Sequence, residues 1–495
     1  MNNLKFKDKK VAVLGMGIEG LALVDFLVDK GCKISVLDKL PENELLLRLL
    51  PEEKNKLSQI IKNGDIVKVF GDNYLDGLKQ FDIIFRSPGI SYLNQKIQEA
   101  ERAGVIISSQ IKLFFDLCPC KIIGVTGTKG KGTTASLIYE IMKRNNQETR
   151  NNNQTESNIQ NSNGYQLTTN NYQPSVYLAG NIGYPAISLL SQLKSDDVVI
   201  LELSSFQLMD LEKSPHIAVI TNLYVDHLDY HKDTDEYRNA KKSILKFQNG
   251  GDWAVLNSDS TFDPAFIDSE IKSKIKYFSH TKGADAVVKD GKVILDPENR
   301  SITICDEKGI KLFGQHNLEN IAAATLVADI LKIDIEIVRE AVKDFTGLPH
   351  RLEFVTEIDG VKFINDSFAT NPEPTKAAID SFSQDKILIL GGSSKGADFS
   401  DLAQKIVSSN VKGVVLIGDE ADKIEQTLIT SSYKGPIKKG FLDMDSIVKG
   451  AQELSSLGDV IILSPACASF GLFSNYKDRG EKFKASVIEL QNHES

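Results

Sequence analysis

The sequence predicts an α/β protein of three domains: an N-terminal Rossmann-like domain over residues 1–117, a central P-loop ATPase-like parallel sheet over residues 118–346, and a C-terminal Rossmann-like domain over residues 347–495. Three observations predict it. Two glycine-rich turns, GMGIEG and TGTKGKGTT, each sit between an apolar strand run and a helical pattern, about 110 residues apart. After Phe345 the alternation of short apolar strands and amphipathic helices starts again. At 495 residues the chain is also too long for one core.

Residues 10–38 read strand, glycine turn, helix, strand, in VAVLGMGIEG, LALVDFLVDKG and KISVLD. Gly15, Gly17 and Gly20 give G-x-G-x-x-G, and Asp38 closes the second strand, where a carboxylate accepts hydrogen bonds from a ribose or base. Taken alone, that fingerprint fits NAD or FAD as well as the nucleotide part of a substrate. The stronger phosphate loop further on favours the substrate.

That loop is IIGVTGTKGKGTT, residues 122–134, with the helical pattern ASLIYEIMK after it. Glycines let backbone N–H groups turn toward phosphate oxygens, the helix adds its positive end, and Lys131 brings a mobile charge to the terminal phosphates. A nucleoside triphosphate fits best, held by Gly127, Thr128, Lys129, Gly130, Lys131, Gly132, Thr133 and Thr134. The motif is a variant, with Val125 in the place of its first glycine and Gly132 in the place of its hydroxyl. Thr133 or Thr134 then offers the hydroxyl to Mg²⁺, and Gly132 in the first helical turn costs about 0.5–1 kcal/mol relative to alanine. A glycine-rich turn without ligand is the plain alternative, and the lysines and threonines among these glycines argue against it.

Residues 145–173, NNQETRNNNQTESNIQNSNGYQLTTNNYQ, have almost no apolar content and are expected to form a disordered surface insertion. The next segments carry chemistry at strand ends, where parallel sheets place ligands. DDVVILELSSFQL is a buried strand ending at Glu202, and HIAVITNLYVDHLDYH a second ending near Asp226 and His227. A carboxylate closing such an apolar run points to a metal or nucleotide partner. His227 reads either as a packed core histidine or, beside Asp226, as a Mg²⁺ ligand. In the last domain the strand ends carry Asp366, Thr370, Lys395 and Ser469, although Ser394, Asp398 and Ser469 each also suit a helix cap.

A net charge of −9 disfavours nucleic acid or an anionic membrane as partner. The polar first ten residues and the lack of a long apolar run predict a cytoplasmic protein. Cys32, Cys118, Cys120, Cys305 and Cys467 have no zinc-like spacing and are expected as thiols.

TGTKGKGTT, GNIG, LELSSFQL, DHLDYH, YRNAK, GQHN, GLPHRLE, NDSFATN and LSPACASFG occur in this order, and together they resemble the Mur ligases over nearly the whole chain outside residues 145–173. The resemblance implies ATP-dependent amide synthesis in cytoplasmic peptidoglycan assembly. A substrate carboxylate attacks the γ-phosphate, ADP leaves, and an amine attacks the acyl phosphate. It implies UDP-N-acetylmuramoyl-L-alanine and D-glutamate as substrates, with ATP and two Mg²⁺ ions; the sequence itself is silent on oligomeric state, and a monomer is the expectation. Lys131, Glu202, His227 and Lys241 become the catalytic set, with Thr133, Glu202, His227 and a carbamate of Lys241 on the metal. That carbamate takes CO₂ and the neutral amine, which is only about one lysine in a thousand near neutral pH, so the metal contact must favour it. Without the resemblance, Lys241 and Lys242 read as a solvated helix face.

By the same resemblance Asn181 lies near phosphates and substrate, Asn317 and Asn320 on the adenine side, Arg351 at an ATP phosphate and Asp366 at the ribose. Thr370, Lys395, Ser469 and Tyr476 face the incoming amino acid. Gly15, Gly17, Asp38, Lys39, Ser87 and Gly89 face the uridine diphosphate, with no hydride chemistry. Phe368 stands where typical members have lysine, a loss of roughly 1.5–3 kcal/mol if that lysine made a charge-assisted hydrogen bond. The readings left open are a sibling ligase adding another amino acid or extending folate with glutamate, and a nucleotide-binding relative without turnover. A dinucleotide oxidoreductase leaves the second phosphate loop unexplained.

Overall fold

The computed structural model describes residues 6–49, 51–157, 174–223, 233–259, 271–281, 283–295, 301–394 and 396–494. It is the expected α/β architecture, built on three sheets. Its contacts divide it into two compact units, Met1–Ile304 with Glu319–Ala341, and Cys305–Leu318 with Val342–Ser495.

In the first unit, β1 (Lys10–Leu14), β2 (Lys33–Asp38), β3 (Val67–Phe70), β4 (Ile83–Arg86) and β5 (Ile106–Ser108) form a parallel sheet in the order β3-β2-β1-β4-β5. Alternate residues of β1 enter different cores. Val11 and Val13 pack with Leu27 and Phe85 on one face, Ala12 and Leu14 with Leu37 and Ile84 on the other. Burial on both faces explains why these strands read as continuous apolar runs.

A nine-stranded sheet is made of β6 (Lys121–Thr126), β7 (Val176–Gly180), β8 (Val198–Glu202), β9 (Ile217–Ile220), β10 (Trp253–Asn257), β11 (Lys274–Ser279), β12 (Ala286–Lys289) and β13 (Lys292–Leu295), all in the same unit, and β14 (Ile302–Asp306), which begins there. Its order is β14-β13-β12-β11-β10-β9-β6-β8-β7, parallel from β7 to β12 and antiparallel between β12 and β13. β6 therefore lies between β8 and β9. The carboxyl ends of those three strands carry the phosphate loop, Glu202 and the segment Thr221–Asn222.

The second unit contains β15 (Glu353–Ile358), β16 (Val361–Asn365), β17 (Lys386–Gly391), β18 (Val411–Ile417), β19 (Ile437–Lys438) and β20 (Val460–Leu463), in the order β15-β16-β20-β17-β18-β19. All pairs are parallel except β15 with β16. Leu388, Leu390 and Ile462 fill one core, Ile387, Ile389 and Ile461 the other.

The Asn/Gln-rich stretch departs from expectation at its start. The helix that opens at the phosphate loop runs Lys131–Ser157, so residues 145–157 are helical. Once nucleated, a helix adds a hydrogen bond for each further residue fixed, and that propagates through a stretch too polar to bury. Arg144 Nη1 meets Glu340 Oε2 at 3.0 Å, and Asn146 Nδ2 donates to the Pro174 carbonyl at 2.6 Å. The rest of the expected insertion, residues 158–173, lies outside the described residues. Among the described residues no helix is long and apolar enough to cross a membrane.

Candidate active site

From Thr126 the chain turns through Gly127 (φ +147°) and Gly130 (φ +83°) into the helix. These glycines answer to contact as well as to conformation. A Cβ on Gly127 would lie 2.0 Å from Thr221 Oγ1, and one on Gly130 2.1 Å from Asn320 Oδ1. Asn222 pins the loop from the end of β9. Its Oδ1 accepts from the backbone N–H of Thr128 at 3.1 Å and of Lys129 at 2.8 Å, and its Nδ2 donates to the Lys129 carbonyl at 3.0 Å. Thr221 Oγ1 donates to the same carbonyl at 2.6 Å. Lys131 Nζ donates to the Thr128 carbonyl at 3.0 Å, and buried Thr134 Oγ1 donates to Asn320 Oδ1 at 3.2 Å. Gly132 and Thr133 lie in the first helical turn, whose amides fall outside the intrahelical ladder. Asn320 thus sits on the phosphate loop itself, while Asn317 donates through Nδ2 to the Phe313 carbonyl at 2.7 Å within the second unit.

Glu202 closes β8 and is 4% exposed, yet its Oε2 has no hydrogen-bond partner among the described residues. Its Oε1 accepts weakly from Asn181 Nδ2 at 3.4 Å. An orphaned carboxylate oxygen at that depth is costly, and a cation would satisfy it. The helix Thr234–Lys246 buries Tyr237, Ala240, Lys241, Ile244 and Leu245, a spacing of three and four residues that defines one face. Lys241 lies on that face rather than in solvent. It is 1% exposed, its Nζ donates to the Gly127 carbonyl at 2.8 Å, and it stands 4.7 Å from the centre of the Tyr237 ring. The Tyr237 hydroxyl is 2.9 Å from Thr128 Oγ1. Asp226 and His227 lie outside the described residues. Among those described, no cluster of three His, Cys, Asp or Glu side chains offers a metal site.

At the first glycine turn, Gly15 has φ +88° and Ser87 Oγ donates to its carbonyl at 3.2 Å. A Cβ on Gly20 would lie 1.9 Å from the Gly15 carbonyl oxygen, so helix and turn meet at the closest approach that glycine allows. Asp38 is committed to its own chain. Oδ2 accepts from Met16 N at 2.7 Å and Oδ1 from Leu40 N at 2.9 Å, so this carboxylate shapes the turn. Gly17 caps the helix Ile18–Val28, and Lys39 and Gly89 are exposed beside the turn.

In the second unit, Asp366 Oδ2 accepts from Ser464 Oγ at 2.7 Å and Oδ1 from Leu352 N at 3.2 Å. Burial pushes this carboxyl up to about 7, against the opposing pull of the Ser464 hydroxyl and the Arg351 charge. Phe368, half-exposed, sits edge-on to Tyr476 with ring centres 5.1 Å apart, and the Arg351 guanidinium lies 5.3 Å over its ring. The Arg351 guanidinium thus packs on the ring that stands at the position read as a missing lysine. Thr370 precedes the Asn371 cap of the helix Pro372–Asp380, and Ser469 is buried at the end of LSPACAS. Lys395 lies outside the described residues.

Three stretches match Mur ligase domains: residues 9–109 the MurD-like N-terminal domain, 125–328 the middle domain and 350–467 the glutamate ligase domain. The UDP-N-acetylmuramoylalanine--D-glutamate ligase of Acetivibrio thermocellus is 40% identical, covering 98% of both chains. The chain belongs to the Mur ligase family. Proteins of the same name from Symbiobacterium thermophilum and Clostridium tetani are 38% and 36% identical, over 97% and 98% of this chain and 98% and 97% of theirs. Solved Mur ligases share the fold. UDP-N-acetylmuramate-alanine ligase MurC of Thermotoga maritima gives a TM-score of 0.55 at 17% identity over 98% of this chain and all of that one. MurF of Acinetobacter baumannii gives 0.56 at 15% identity over 97% and 93%.

Sequence reasoning passed over several residues of this Mur ligase. Thr221, Asn222 and Tyr237 hold its phosphate loop, and only their place at a strand end or on a helix face hinted at it. Arg479 is fully buried and bridges two loops. Its Nε donates to Ser367 Oγ at 2.9 Å, its Nη2 to the Ser367 carbonyl at 2.9 Å, and its Nη1 to the Cys467 carbonyl at 3.2 Å. It thereby ties NDSFATN to LSPACAS, and nothing in KDRG announces a buried arginine.

Proposed function

We infer that this Mur ligase joins D-glutamate to UDP-N-acetylmuramoyl-L-alanine, with ATP cleaved to ADP and phosphate, in peptidoglycan precursor synthesis. The observation that carries the reading is the full-length likeness to D-glutamate-adding ligases, 40% identical over 98% of both chains. The loop 127–134 receives the ATP phosphates, with Lys131 as their mobile charge. The carboxylate of the UDP-linked substrate displaces ADP from the γ-phosphate. The amine of D-glutamate then attacks the acyl phosphate, releasing phosphate and a proton.

Mg²⁺ suits the donors present. Glu202 with its orphaned oxygen, a Thr133 hydroxyl, His227 and a carbamate of Lys241 would hold it, two ions in all, and it would supply neutralisation of charge on the transferring phosphoryl group. Burial of Lys241 against the Gly127 carbonyl supports the carbamate, because CO₂ addition there places a carboxylate beside the loop. Asn320 braces the loop, and Arg351 and Asp366 serve ATP phosphate and ribose. Asn317 faces the adenine. Gly15, Gly17, Asp38, Lys39, Ser87, Gly89 and Asn181 serve the UDP-linked substrate, and Thr370, Lys395, Ser469 and Tyr476 the amino acid. A cytoplasmic monomer fits substrates made inside the cell. Phosphate release from ATP, Mg²⁺ and the UDP substrate, scanned across single amino acids, tests the reading. Release dependent on D-glutamate is expected. Release with another amino acid alone moves the protein to a sibling activity, and release with none contradicts turnover.

A further inference from the structure

Two polar links tie the first glycine turn to the segment that follows Glu202, and the chemistry above uses neither. Gln207 Nε2 donates to Glu19 Oε1 at 2.7 Å. The other end of the Gln207 amide is fixed as well, since Oε1 accepts from Ser204 N at 3.0 Å and Ser204 Oγ at 3.2 Å while Ser204 caps the helix Ser205–Leu208. Three residues on, Asp210 Oδ1 accepts from Arg86 Nη2 at 3.1 Å, with side chains 5% and 1% exposed. Arg86 Nη1 also donates to the Ile90 carbonyl at 2.7 Å.

The positions of these partners matter more than their strength. Glu19 lies two residues after Gly17, and Arg86 immediately precedes Ser87, whose hydroxyl holds the Gly15 carbonyl. The links bracket the turn assigned to the uridine diphosphate, and both land on one short stretch leaving the carboxylate end of β8. The cavity beside them, lined by Glu19, Arg86, Ser87 and Gln110, measures about 10 Å³, room for one water. Burial pushes the Glu19 carboxyl up to about 7, against the Gln207 hydrogen bond and the Arg86 charge, which marks the contact as desolvated.

We propose that Gln207 and Asp210 are positioning residues, which act through Glu19 and Arg86 to fix the UDP-binding turn relative to the Glu202 end of β8. This deepens the ligase reading and rests on it. The reacting carboxylate belongs to the molecule held at the turn, and a misplacement of about 1 Å in a reacting pair lowers rate by about 100-fold.

The test compares Gln207→Leu, Glu19→Leu, their double variant and the conservative Glu19→Gln. Gln207→Leu is expected to lower kcat by about 10- to 100-fold and raise KM for the UDP substrate, with Mg-ADP affinity unchanged by calorimetry. The double variant should be no worse than either single change, and Glu19→Gln, which keeps an acceptor for Gln207, should stay within about threefold of wild type. Amide exchange gives a readout independent of turnover: residues 15–20 should exchange faster in Gln207→Leu while residues 127–134 do not. If Gln207→Leu fails to fold, Glu19→Leu carries the same comparison. Unchanged exchange at 15–20, equal loss of Mg-ADP affinity, or effects that add in the double variant would each overturn the proposal. Wild-type protein that releases no phosphate with D-glutamate would instead refute the ligase reading.

Discussion

Asn222 does at residue scale what a glycine loop cannot do for itself. Glycines permit the turn but do not hold it, and the carboxamide of Asn222 takes two loop amides and returns a donor to the Lys129 carbonyl. Asn222→Ala leaves the Lys129 N–H without its acceptor, at about 1–3 kcal/mol, while the Thr128 N–H keeps the residue 222 carbonyl and the Lys129 carbonyl keeps Thr221 Oγ1. Steady-state kinetics should show a KM for ATP raised at least tenfold, with KM for D-glutamate unchanged. Lys241 makes a related point about burial. Its Nζ already lies against the loop, so Lys241→Ala should lose most activity and Lys241→Arg should not restore it, because a guanidinium cannot take up CO₂. Activity retained by Lys241→Arg would remove the carbamate from the account.

Among elements, the loop from β16 to the helix Pro372–Asp380 packs an aromatic ring against a cation. Phe368 carries the Arg351 guanidinium on its face and is braced edge-on by Tyr476. A cation over an aromatic ring at an exposed site is worth about 0.5–1 kcal/mol, or about 2- to 5-fold in binding. Phe368→Leu should raise KM for ATP by about that factor and leave KM for D-glutamate alone, and Phe368→Tyr should behave as wild type. The same loop carries a pH dependence. Asp366 holds its proton up to about pH 7 in the folded protein, whereas an unfolded aspartate releases it near 3.8. Between those values the native state binds more protons, so rising pH costs stability, and the loss is complete above about 7. Denaturant melts from pH 4 to 8 should show Asp366→Asn losing less stability over that window than wild type.

For the molecule as a whole, the sequence disclosed what depends on local pattern. Apolar runs buried on both faces gave the strands, and Gly127, Gly130 and Lys131 gave the phosphate loop. Residues whose role depends on a distant partner were not legible. Arg479 is buried because two loops from other strands close over it, and Asn222 matters because β9 lies beside β6. Lys241 was legible only through the YRNAK resemblance; the structure buries it on the helix face of Tyr237, Ala240 and Ile244, where the residues alone read as a solvated face. The helix through residues 145–157 was hidden because composition reports what can be buried, not how far an established helix continues. In the proposed reaction the UDP end of the substrate is held at the first glycine turn, while its carboxylate is phosphorylated at the second and captured by D-glutamate. The most direct test uses UDP-N-acetylmuramoyl-L-alanine labelled with ¹⁸O in its terminal carboxylate and follows the label by mass spectrometry. The account predicts one labelled oxygen in each phosphate released and one retained in the amide product, only when D-glutamate is present. Phosphate carrying no label would mean that water, not the carboxylate, attacks ATP, and would contradict it.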